Sequence, residues 1–98
     1  MDLEYEKYNN NCGIKKGHEI QITVREATGK MVPEEGALLW TNTSNEYGTM
    51  HAVIRAIYTA LPAYRGKYLN IEVWNKTTNM GVTCRNHHVP LNRIPRTL

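Results

Sequence analysis

A chain of 98 residues fits one domain and leaves no room for two. Its apolar share of 41% and charged share of 21% are those of a globular protein and exclude disorder as the dominant state. The formal charge of +3 is unevenly spread: residues 1–64 carry six basic and eight acidic side chains, whereas 65–98 carry six basic ones against Glu72 alone.

That basic C-terminal third suits phosphate or an acidic protein face as well as simple solvation. The opening Met1-Asp2-Leu3-Glu4 has neither the basic nor the apolar region of a secretory signal. No run approaches the roughly 20 apolar residues of a membrane span. The expectation is a cytoplasmic chain without a membrane partner, with Cys12 and Cys84 as free thiols.

Residues 1–17 are polar and read as an irregular lead-in onto which Tyr5 and Tyr8 pack. From Glu19 to Arg25 the sequence alternates, with Ile20, Ile22 and Val24 on one side and Gln21, Thr23 and Arg25 on the other, the period of a half-buried strand. Ala27-Thr28-Gly29-Lys30 is a turn. Ala37-Leu38-Leu39-Trp40 is a short apolar run suited to a more fully buried strand, closed by the capping cluster Thr41 to Asn45. Met50, Val53, Ile54, Ile57 and Leu61 share a helical stripe opposite His51, Arg55 and Thr59. A helix over 46–61 follows, capped by Ser44 or Asn45 and stopped at Pro62.

A second alternating strand sets Leu69, Ile71 and Val73 against Asn70, Glu72 and Trp74. Asn75 to Asn79 make a hairpin loop, and Met80 to Cys84 return. Pro90 and Pro95 predict an irregular basic tail over 86–98. The expected fold is therefore α+β: one domain over 1–98, a small, mainly antiparallel sheet of about four strands with one amphipathic helix packed on one face.

The chemistry-bearing residues point in several directions. Cys84-Arg85-Asn86-His87-His88, with Cys12 and His18 upstream, offers the thiolates and imidazoles that zinc prefers. Structural zinc sites present two tight pairs, and Cys12 and His18 are six apart, so no metal or other cofactor is assigned. His87 to Asn92 resembles the opening strand of HNH nucleases. That family needs further metal ligands on a downstream loop and helix, and the sequence ends at Leu98, so no nuclease activity is expected. Thr43-Ser44-Asn45, the helix and strand 69–74 resemble the middle of the ribonuclease H fold. The resemblance puts Thr49 and Asn75 where that fold carries carboxylates, which implies at most an inactive relative. The hairpin Ile71 to Arg85 is similar to part of the double-psi β-barrel, whose aspartate would fall near His87 or His88 and is missing. No catalytic set of another kind is visible.

Tyr64-Arg65-Gly66-Lys67-Tyr68 interleaves rings with cations, as surfaces that stack bases and hold phosphates do, and Arg85, Arg93 and Arg96 extend the charge. No named nucleic-acid module accompanies them. If the helix covers one sheet face, then Gln21, Thr23, Arg25, Asn70, Glu72 and Trp74 lie on the other, an aromatic anchor among polar groups. The expected function is a small non-enzymatic protein that occupies the surface of a protein partner, in the manner of phage or mobile-element accessory proteins. Nucleic acid is the alternative partner. The residues expected to carry binding are Arg65, Lys67, Tyr68, Trp74, Lys76 and Arg85.

Overall fold

The computed structural model describes residues 12–29 and 36–91. Within them the order is β1 (Ile20–Ala27), β2 (Leu38–Ser44), α1 (Met50–Ala60), a 3-10 turn (Pro62–Tyr64), β3 (Tyr68–Asn75) and β4 (Met80–His88). The sheet runs β2-β1-β3-β4 with every neighbouring pair antiparallel. This is the small α+β architecture read from the sequence. Because β2 and β3 both oppose β1, they run parallel to each other on either side of it. A parallel pair needs a crossover rather than a hairpin, and α1 supplies it.

The register fixes which residues share a face. Ile22 pairs with Val73 and Val24 with Ile71 across β1 and β3, so the apolar members of both alternating runs point the same way. Met50, Val53, Ile54, Ile57 and Tyr58 of α1 pack onto that side and form one core with Ile20, Ile22, Val24, Leu69, Ile71, Val73 and Val89. Each such aliphatic side chain withdrawn fully from water contributes about 1.5–3 kcal/mol. A slip of one residue would carry the whole apolar set to the opposite face, so burial and register specify each other.

Three boundaries differ from the sequence-based expectation. β2 continues through Thr41 to Ser44, and it lies at the sheet edge instead of being fully buried: Leu38 is 52% exposed. Thr41 and Thr43 pair with Thr23 and Gln21, and the Thr41 hydroxyl donates to the Ile22 carbonyl at 3.0 Å, so the β-branched threonines extend the strand. The helix starts later than residue 46. Ser44 Oγ accepts from the Glu46 amide within a local turn, and Thr49 is the N-cap, its Oγ1 accepting from the Ala52 amide at 3.2 Å. β4 runs on to His88, so 86–88 belong to the sheet and not to an irregular tail. The period fails there because Arg85 and Asn86 together stand opposite Asn70, a bulge in which Asn86 takes a φ of 53°.

Cys12 and Ile14 are buried, so this part of the irregular lead-in belongs to the core. It is tied down by Asn75, which is itself fully buried. The Asn75 amide nitrogen donates to the Cys12 carbonyl at 2.9 Å, and its oxygen accepts from the amides of Thr77 and Thr78. Thr78 Oγ1 also donates to the Cys12 carbonyl, and Gly17 N–H donates to the Asn45 carbonyl. The placements expected for Tyr5 and Tyr8 and for residues 92–98, Arg93 and Arg96 included, lie outside the described residues.

Candidate functional site

The face of the sheet away from α1 is built by the polar members of the same alternation. Gln21 stands opposite Trp74, Thr23 opposite Glu72 and Arg25 opposite Asn70. The grouping expected from the sequence is therefore the one the register produces. The outer strands add to these rows: Thr43 and Thr41 beside Gln21 and Thr23, and Gly81 and Thr83 beside Trp74 and Glu72. Among the described residues no helix covers this face.

Trp74 is 39% exposed, and its indole lies across Gly81 on the neighbouring strand. A Cβ at Gly81 would sit 2.7 Å from indole Cε3, so the missing side chain is what lets the ring rest against the sheet. Around the ring is a shallow depression of about 480 Å³, bordered by Gln21, Thr23, Glu72, Trp74, Gly81 and Thr83. The other tryptophan, Trp40, sits opposite Val24, half-buried against the core.

The six residues expected to carry binding do not converge. Tyr68 and Trp74 share the open face but stand six residues apart on β3, about 20 Å at strand rise. Tyr68 meets His88 with ring centroids 5.1 Å apart and lies over Gly29. Arg65 and Lys67 are exposed in the turn before β3. Lys67 Nζ lies 5.5 Å from the centre of the Tyr64 ring, and the Tyr64 hydroxyl donates to Glu26. That bond, with burial and the carboxylate's charge, raises the Tyr64 phenol above its ordinary pKa. Lys76 lies beyond the other end of β3, its Nζ 3.5 Å from Glu19. Arg85 is exposed in the β4 bulge, next to the row of Arg25 and Asn70.

The possible zinc ligands are likewise dispersed. His87 points into the core and shares a 2.5 Å hydrogen bond with Tyr58, whereas His88 lies on the other face against Tyr68. His18 Nδ1 lies 3.1 Å from the Asn75 amide nitrogen. No three His, Cys, Asp or Glu side chains among the described residues come together in a metal-binding arrangement. Burial raises the Cys12 and Cys84 thiols above their usual range, which suppresses the nucleophilic thiolate. Thr49 serves as helix cap and Asn75 as buried staple.

Two residues carry more than their sequence context suggests. The pattern places Asn75 in the hairpin loop, yet it is fully buried and bonded to the Cys12 carbonyl. Tyr58 joins the buried helical stripe, four residues after Ile54, and that spacing is its signal in the sequence.

No helix among the described residues is long and apolar enough to cross a membrane. The fold and the exposed aromatic define the class: a helix-backed antiparallel sheet with one uncovered face. Comparison with protein-family models, curated proteins and solved structures finds no match to the chain.

Proposed function

We propose that this domain is a non-enzymatic binding module that occupies a protein partner through the uncovered sheet face, with Trp74 as the anchor. The observation that carries the reading is the indole resting on Gly81, 39% exposed, within a depression edged by hydroxyl, amide and carboxylate groups. Aromatic anchors ringed by polar groups are the usual source of binding energy in protein interfaces. The raised thiols and the use of Ser44 as a local turn acceptor support a role without covalent chemistry.

A protein partner is favoured over nucleic acid by where the cations stand. Arg65 and Lys67 lie at one end of β3 and Lys76 at the other, paired with Glu19, while Glu72 occupies the middle of the open face. Phosphate contacts need cations in a track, and a central carboxylate opposes one.

The test is capture and affinity measurement of partners with the wild type, Trp74→Ala and the helix-surface variant Thr59→Ala. Trp74→Ala should weaken binding at least about thirtyfold and Thr59→Ala should leave it unchanged. A partner held equally by all three contradicts the proposal. So does oligonucleotide binding that falls steeply with salt and is lost on Arg65→Ala or Lys67→Ala, which would transfer the function to nucleic acid.

A further inference from the structure

The depression around Trp74 holds an unbalanced charge. Glu72 is the one carboxylate among the described strand residues of the open face, exposed at its centre between Thr23 and Thr83. Among the described residues its carboxylate takes part in no ion pair or hydrogen bond, although Arg25 and Arg85 stand one row away. The indole of Trp74 lies two residues along the same strand face and borders the same depression. Its ring rests over Gly81, whose missing Cβ leaves room for indole Cε3 and Cζ3, and the residue is 39% exposed.

A carboxylate, an indole face and neighbouring hydroxyl and amide oxygens are the complement of one chemical group. A guanidinium is planar, stacks on indole, and carries five donors in a fork that matches a carboxylate. We propose that this depression receives an arginine side chain of the partner, its guanidinium stacked on Trp74 and hydrogen-bonded to Glu72, with Thr23, Thr83 and Gln21 as further acceptors. Arg25 and Arg85 stand one row beyond the depression, so the partner's arginine is flanked by acidic or neutral residues on that side. The arrangement excludes a phosphate or carboxylate ligand from the same spot, because Glu72 repels it. A neutral sugar would stack on the indole but leave the Glu72 charge unmatched. The inference rests on the open face being the partner-binding face and adds what that partner presents.

The experiment is a titration of the ¹⁵N-labelled full chain, at constant ionic strength, with blocked arginine (N-acetyl-arginine amide), its neutral isostere N-acetyl-citrulline amide, and a neutral trisaccharide. Arginine should give saturable shifts at the Trp74 indole N–H and the Gly81 and Thr83 amides, with a Kd in the millimolar range expected of so small a ligand. Citrulline and the trisaccharide should give none. Glu72→Gln, a change at an exposed position, should weaken the arginine response at least about tenfold. Absence of saturation up to about 50 mM, equal shifts with citrulline, an unaltered response in Glu72→Gln, or preference for the trisaccharide overturns the assignment. The two readings fail separately. A partner lost with Trp74→Ala but untouched by Glu72→Gln refutes the arginine and leaves the binding face standing; a partner that binds Trp74→Ala as well as the wild type refutes the face itself.

Discussion

The two sides of the sheet are made by the same four strands and serve opposite ends. On the side under α1, Ile20, Ile22, Val24, Leu69, Ile71 and Val73 are almost entirely withdrawn from solvent, and Asn75 and His87, the buried polar residues among those described, both have partners. On the other side the alternate residues of the same strands are threonine, glutamine, asparagine, arginine and glutamate, with an indole lying open among them. The placement of the two tryptophans repeats the contrast: Trp40 is half-buried against the core and Trp74 stands over the open face. Side chains on one face are committed to the core, and those on the other carry the proposed recognition.

The sharpest break of this comparison is a core truncation. Ile22→Ala removes a core side chain of zero exposure from β1, opposite Val73, and should cost about 2–5 kcal/mol in urea unfolding. A cost under 1 kcal/mol would mean that the side under α1 is not the packed one. Asn75→Ala should follow at about 2–3 kcal/mol, since it deprives the Thr77 and Thr78 amides of their acceptor and the Cys12 carbonyl of a donor. It should also raise amide exchange around residues 12–18 more than in β1. Thr49→Ala should cost about 1 kcal/mol through loss of the helix cap. Thr83→Ala on the open face should change stability by no more than about 0.5 kcal/mol, and a larger loss would show that this face also supports the fold.

The pH response sharpens the same contrast. Burial raises the Cys12 and Cys84 thiols above the ordinary 9.0, and the Tyr47 phenol above 10.0. The folded state thus holds these protons more tightly than the unfolded chain. Their contribution to stability is complete below about pH 9 and is lost as the pH climbs through the folded values. Urea midpoints should be level in this respect up to pH 9 and fall beyond it, with a shallower fall in Cys12→Ala. An identical alkaline slope in that variant would contradict the buried placement of Cys12.

Much of this division could be read from the chain. The alternation over 19–25 and 69–74 separates Gln21, Thr23, Arg25, Asn70, Glu72 and Trp74 from the apolar set before any register is known. The helix likewise appears as a stripe with His51, Arg55 and Thr59 outward, as they are found. Strand order is a different matter. Nothing local marks Leu38-Leu39-Trp40 as an edge, so an apolar run predicts more burial than the strand has. The end of β4 was hidden because the bulge at Arg85 and Asn86 breaks the period of two that marks a strand. Asn75 was invisible for a third reason: its bond to the Cys12 carbonyl closes over a separation of 63 residues, and a hairpin-loop asparagine looks the same with or without it. The dispersal of Arg65, Lys67, Lys76 and Arg85 has the same origin, since closeness in sequence along a strand translates into distance in space.

The central claim is that the sheet face bearing Trp74 is open to solvent while the face bearing Trp40 is packed. Solvent paramagnetic relaxation with an inert, neutral gadolinium chelate measures this in the free full-length chain. The account predicts that the Trp74 indole N–H and the Thr23 and Thr83 methyl groups broaden strongly, whereas the methyl groups of Ile22, Val73 and Ile57 stay sharp and the Trp40 indole is affected less than that of Trp74. A Trp74 indole as protected as Trp40, with Thr23 and Thr83 protected alongside it, would mean that the face is covered, and would contradict both the architecture of the site and the function drawn from it.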